Sequence, residues 1–131
     1  MTGAQDRNAQ VRKTILIVED DRSIAETLQF TLHAEGYATV LAEDGTRALE
    51  VLQQVQVDLV LTDLNMSPMH GRDFLKAKLA NPNFRSLPAI VVSAERSLEA
   101  IPGAFSVIPK PFSIDTLVEA IRSALYGATK Q

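Results

Sequence analysis

Apolar residues in this chain fall into short unbroken runs and longer spaced stripes, in strict alternation. Residues 14–18, Thr-Ile-Leu-Ile-Val, form a run without a polar break, which predicts a strand buried on both faces. The run stops abruptly at Glu19-Asp20-Asp21. Ile24, Leu28 and Leu32 then recur every fourth residue, as one face of a helix does, up to a stop near Gly36. Residues 37–42 predict a second strand, Asp44-Gly45 a turn, and Ala48, Leu52 and Val55 a second helix. A third apolar run, residues 57–61, leads to Asp63 and a loop holding Ser67, Pro68 and Gly71. Residues 72–79 predict a third helix, ended by Asn81-Pro82. Residues 87–93 predict a strand that ends in the hydroxyl of Ser93, and residues 105–108 a strand followed by Pro109-Lys110-Pro111. Ile114, Leu117, Val118, Ile121 and Leu125 mark the last helix, with Ser113 as its N-cap and Asp115 in its first turn. The polar, aperiodic residues 1–13 predict a flexible tail, residues 14–127 one domain, and residues 128–131 a short C-terminal tail.

Strands alternating with helices predict an α/β fold with a parallel sheet covered on both faces. Five strands fit the flavodoxin-like doubly wound order 2-1-3-4-5, a choice that rests on analogy with that architecture. The last crossover is short. Sixteen residues (94–109) separate Ser93 from Lys110, and the fifth strand takes about four of them. A parallel crossover normally needs about a dozen residues. The helix between the fourth and fifth strands is therefore expected to be short or missing, and Pro102-Gly103 shortens it further.

A length of 131 residues suits one domain with a real core. The net charge of −3 argues against a basic nucleic-acid footprint. The lack of cysteine excludes disulfides and thiolate metal sites. No run is long enough for a membrane helix, and the N-terminus lacks an apolar segment, so the expectation is a cytoplasmic protein with no membrane partner.

The polar residues at the strand ends change the picture. Glu19 and Asp20 follow the first strand, Asp63 the third, Ser93 ends the fourth, and Lys110 follows the fifth. In a parallel sheet these ends share one edge, where α/β proteins bind ligands. With strands about 4.8 Å apart, the side chains would converge on one pocket. Asp63 alone could equally be a turn residue. Three crowded carboxylates raise each other's pKa, and a hard cation such as Mg²⁺ relieves that cost. An ammonium and a hydroxyl beside them suit a phosphoryl group.

At these residues the chain resembles a response-regulator receiver domain, the phosphoacceptor half of a two-component system, of the chemotaxis-regulator type. The matching pieces are Ile-Leu-Ile-Val-Glu-Asp-Asp (15–21), Ala-Glu-Asp-Gly (42–45) with Ala48-Leu49, Asp-Leu-Val-Leu-Thr-Asp (58–63), Met69 with Gly71, Val-Val-Ser-Ala (91–94) and Lys-Pro-Phe (110–112). The resemblance runs from about residue 14 to residue 126, almost the whole chain. The resemblance implies that Asp63 is the phosphoacceptor, served by a histidine kinase or a histidine phosphotransfer protein. It implies Mg²⁺ held by Asp20 and Asp63, by Glu19 largely through water, and by the backbone carbonyl of Asn65. Ser93, Ala94 and Lys110 would bind the phosphoryl oxygens, and the Lys110–Pro111 bond would be cis. Ser93 and the residue at position 107 would form the switch. The family has Tyr or Phe where this chain has Val107, and valine offers no ring to swing. Such a domain catalyses its own phosphorylation and dephosphorylation and is not otherwise an enzyme. Since the sequence stops soon after the last helix, the expectation is a stand-alone receiver, monomeric or weakly dimeric, that acts by contact with an unidentified protein.

Two other classes compete. A Mg²⁺-dependent phosphohydrolase with an Asp nucleophile usually carries a second carboxylate two residues on, where this chain has Asn65. A phosphorylation-independent interaction module would not need the whole set Glu19, Asp20, Asp63, Ser93 and Lys110. The remaining polar residues have plainer readings. Asp21 starts the first helix, and His33 is solvated. His70, with no partner histidine nearby in sequence, is a loop residue, and Met66 and Met69 pack. Arg72, Lys76 and Lys78 form a solvated face, and Phe105 is core.

Overall fold

Unbroken Val, Ile, Leu and Ala runs make the strands of this chain, and capped amphipathic stretches make its helices. The computed structural model describes residues 12–64, 71–94 and 101–127. Strands β1 (Thr14–Val18), β2 (Ala38–Ala42), β3 (Leu59–Asp63), β4 (Ala89–Ser93) and β5 (Ser106–Pro109) alternate with helices α1 (Arg22–Ala34), α2 (Gly45–Gln54), α3 (Gly71–Ala80) and α4 (Ile114–Tyr126). All strand pairs are parallel, in the order β2-β1-β3-β4-β5. The flavodoxin-like architecture expected from the alternation is thus present. Between β4 and β5 no helix occurs among the described residues, in keeping with the short crossover. The expected tails lie outside the described residues, apart from residues 12 and 13.

Strand alternation splits the core into two layers. Ile15, Ile17, Leu59, Leu61, Ile90 and Val92 face Leu28 and Leu32 of α1 and Leu117 and Ile121 of α4. Leu16, Val18, Val60 and Val91 face Ala48, Val51 and Leu52 of α2 and Phe74 and Leu75 of α3. Asp58 fixes where this sheet begins: its carboxylate accepts from the Thr14 N–H at 2.8 Å, and its own N–H donates to the Thr14 carbonyl.

The helix starts follow the sequence closely. Asp21, Asp44 and Ser113 cap α1, α2 and α4 by accepting from the N–H groups of Ile24, Arg47 and Thr116. Each cap contributes about 1 kcal/mol. Gly36 ends α1 at φ +96°, a left-handed geometry that glycine adopts without a Cβ penalty.

Some expectations fail. Ile24 and Ile114 sit in first turns beyond the edge of the sheet and are 42% and 45% exposed, respectively. Phe105 is 53% exposed rather than core, since no crossover helix covers it among the described residues. Lys78 departs furthest from its reading as a solvated residue, at 1% exposure. It shares a helix face with Phe74 and Leu75, and the chain turns back directly after it, with the Asn81 N–H on its carbonyl. No hydrogen bond or ion pair to the Lys78 ammonium occurs among the described residues.

Burial lowers the pKa of the Lys78 ammonium below the usual lysine range. Between that lowered value and the ordinary one, the unfolded chain binds more protons than the native state. Stability therefore rises with pH across this window, and the cost of the buried charge is complete below it. Lys78→Met should raise the unfolding free energy by about 1 kcal/mol or more at neutral pH. It should also flatten the alkaline rise. Urea titrations at about pH 7 and about pH 10 measure both effects. A variant with the wild-type pH slope would show that the ammonium is solvated.

Candidate functional site

The carboxyl edge of the sheet gathers the polar residues that the strand ends promised. Glu19 and Asp20 leave β1, Asp63 is the last residue of β3, Ser93 the last of β4, and Lys110 follows β5. The register holds these ends level, with Asp63 opposite Val92 and Ser93 opposite Pro109.

Asp63 is 6% exposed, and Lys110 Nζ lies 2.6 Å from its Oδ2. Lysine reaches this carboxylate from two strands away, across the end of β4. Its backbone is fixed as well. Pro109 stands opposite Ser93 with its nitrogen turned away from β4, where an edge strand loses no bond, and the Lys110 N–H donates to the Ser93 carbonyl at 2.8 Å as the next step of the ladder. The Lys110–Pro111 bond is cis. Ser93 is fully buried, whereas Ala94 beyond it is exposed.

Glu19 is as buried as Asp63, and its Oε2 accepts from the Asp21 N–H at 3.1 Å. Burial pushes the Glu19 pKa up. The charges of Asp63 and Asp20 push the same way, while the bond from Asp21 and the charge of Lys110 oppose them. Asp20 is exposed beside it. Both neighbouring carboxylates thus act on Glu19. Among the described residues no three metal-binding side chains converge closely enough to hold an ion by themselves. That still suits Mg²⁺, which binds through one or two carboxylates and keeps several waters.

Asn65, the expected carbonyl ligand, lies outside the described residues, as do Met66, Ser67, Pro68, Met69 and His70. Val107 is half-buried on the α2–α3 side of the sheet, level with Val91 and two residues short of the polar edge. His33 is exposed, and its Nε2 lies 2.9 Å from Thr39 Oγ1. Sequence reasoning missed Thr62, whose buried hydroxyl donates to the Asp63 carbonyl at 2.9 Å and steadies the turn out of β3. A hydroxyl beside the strand-end carboxylate was the only available signal.

Two recesses open onto this edge. One, of about 460 Å³, lies between the starts of α1 and α2 and is lined by Glu19, Asp20, Arg22, Glu43 and Arg47. The other, of about 570 Å³, is apolar and lined by Ile24, Leu28, Ala94, Pro111 and Phe112, with Glu19 and Lys110 at its rim. Ile24 is exposed because it walls this second recess.

The chain is similar to known proteins over most of its length. The family model described as "Response regulator receiver domain" matches residues 15–122. Transcriptional regulatory protein GlrR of Escherichia coli (strain K12) is 37% identical over 117 residues, covering 85% of this chain and 26% of that protein. DNA-binding response regulator MtrA of Mycobacterium tuberculosis (strain ATCC 25618 / H37Rv) is 34% identical over 120 residues, covering 88% of this chain and 51% of its own length. The chain thus spans a quarter to a half of these relatives. Among solved structures, chemotaxis response regulator CheY4 of Vibrio cholerae superposes with a TM-score of 0.80 at 29% identity, covering 88% of this chain and all of that one. Response regulator protein TrrA of Thermotoga maritima, in complex with Mg(2+)-BeF, superposes with a TM-score of 0.79 at 28% identity, covering 86% and 99%. With an acidic pair, a buried aspartate and a lysine meeting at one sheet edge, and with relatives of this kind, this chain belongs to the receiver-domain family of two-component response regulators.

Proposed function

We propose that Asp63 accepts a phosphoryl group from a phosphohistidine on a histidine kinase or phosphotransfer protein, and that the modified domain signals through contact with another protein. The observation that carries this reading is the 2.6 Å pairing of Lys110 with the buried Asp63, beside Glu19 and Asp20. In the reaction, a carboxylate oxygen of Asp63 bonds to phosphorus while the phosphorus–nitrogen bond of the donor breaks, and the departing imidazole keeps the electron pair and takes a proton from solvent. Lys110 transfers its ammonium from the carboxylate to the phosphoryl oxygens. The Ser93 hydroxyl and the Ala94 N–H supply further donors there. Asp20 and Asp63, with Glu19 through water and the carbonyl of Asn65, would hold Mg²⁺, which neutralises charge on the transferring oxygens. Val107 has no ring to exchange, so the change leaves the site through Ser93 and Lys110, whose backbones are joined directly. The net charge of −3 favours a protein rather than a nucleic acid as the target of this domain.

Acetyl phosphate tests the reading without a kinase. Intact-mass spectrometry should show one added phosphoryl group per chain when Mg²⁺ is present and none after chelation. No uptake in the presence of Mg²⁺ would leave a phosphorylation-independent interaction module.

A further inference from the structure

The sheet has two bare edges, and the chain treats them differently. At β5 the edge is four residues long, and Pro109 turns outward a nitrogen that cannot donate. At β2 the strand reads Ala-Thr-Val-Leu-Ala, with no proline and no charge. Its register against β1 runs without a bulge from Ala38 to Ala42. Proteins blunt edge strands with prolines, charges or bulges, and a flat, uncharged edge is a template for another strand.

The bonds to β1 fix which groups of β2 point out. The Ala38 N–H donates to the Lys13 carbonyl at 2.9 Å, and the Ala42 carbonyl accepts from the Glu19 N–H at 3.0 Å. Alternate residues of a parallel pair turn both backbone groups to the same side. Val40 therefore faces β1 as well, while Thr39 and Leu41 turn their N–H and C=O groups outward. No hydrogen bond to these backbone groups occurs among the described residues. Thr39, Val40 and Leu41 are each only half-buried, so the flanking helices leave the edge open. The Thr39 side chain is held down on α1, its hydroxyl lying 3.0 Å from Gln29 Nε2 and 2.9 Å from His33 Nε2.

We propose that β2 pairs antiparallel with β2 of a second copy of this chain, about a two-fold axis at Val40. Thr39 of one copy then stands opposite Leu41 of the other, and each such pair exchanges two N–H···O bonds. The edge is self-complementary because the two outward residues flank Val40 equally, as a two-fold interface requires. The two Val40 side chains meet at the axis as a non-hydrogen-bonded pair. Charge favours the same occupant. A charged segment of another protein would find no charged side chain in β2 to select it. A second β2 meets the first without like charges, since the nearest, Glu35 and Glu43, lie beyond the strand ends. Asp63 lies two strands away from β2, so its pocket stays open in both copies and the pairing does not depend on phosphoryl transfer.

Sedimentation velocity on the full chain tests the proposal. The wild type should pass from monomer to dimer between about 10 µM and about 1 mM. Val40→Glu and Val40→Lys each set like charges opposite one another and should move the midpoint up at least about tenfold. An equimolar mixture of the two variants should dimerise again, which misfolded chains would not do. The chain has no cysteine, so Val40→Cys reports the geometry directly. The Cα atoms of such a pair lie about 4.5 Å apart, within disulfide reach, and mild oxidation should link two copies. Amide exchange at Thr39 and Leu41 should slow as the wild-type concentration rises. A wild type that stays monomeric at about 1 mM would overturn the proposal. A dimer that both single variants leave unchanged, or that Val40→Cys does not cross-link, would place the interface elsewhere. Slow exchange at Thr39 and Leu41 in the monomer at every concentration would assign the edge to another segment of the same chain.

Discussion

Asp63→Asn should take up no phosphoryl group from acetyl phosphate under conditions that saturate the wild type. The amide keeps the size of the side chain but cannot supply the anionic oxygen that attacks phosphorus. The fold should survive, because Asp63 lies at the end of β3 rather than within either core layer. The change also replaces the charged partner of Lys110 with a neutral amide, and the Lys110 side chain is about a third exposed and can turn to solvent. Mass spectrometry of the treated variant should therefore show the unmodified mass, with thermal unfolding still cooperative. Labelling of the variant at wild-type stoichiometry would move the acceptor elsewhere.

The next largest effect is expected at Asp20. This carboxylate is exposed beside the buried Glu19, so Asp20→Ala removes a ligand and a repulsive charge without opening a cavity. Mg²⁺-dependent labelling should fall by about a hundredfold or more. Stability without metal should be unchanged or slightly higher. Stabilisation by added Mg²⁺, measured as a shift of the unfolding midpoint, should vanish. Wild-type Mg²⁺ titration in this variant would refute the acidic pair as the metal site.

The parts of this molecule that rest on local pattern were legible before any coordinates. Buried strands announced themselves as unbroken apolar runs, and the caps Asp21 and Ser113 as side chains of the right type in the right place. The residues of the site were legible because a parallel sheet carries every strand end to one edge. What periodicity could not supply was cover. Lys78 and Phe105 were misplaced because exposure depends on what packs over a residue. The contact between Lys110 and Asp63 joins residues 47 apart in the chain. Its distance, like the bond from Thr62 to the Asp63 carbonyl, exists only once the sheet is formed.

The bond from the Lys110 amide to Ser93 makes register a functional quantity. Lys110 spans two strand spacings, about 9.6 Å, and can do so only from the position where its own amide meets Ser93. A slip of one residue would carry the lysine about 3.3 Å along the strand and turn its side chain to the opposite face. One residue inserted into β5 ahead of Val107 would exchange the faces of Val107 and Ile108 as well as disconnecting the ammonium from Asp63. The short edge strand thus acts as a gauge that tolerates exchange of side chains more readily than any change in its length.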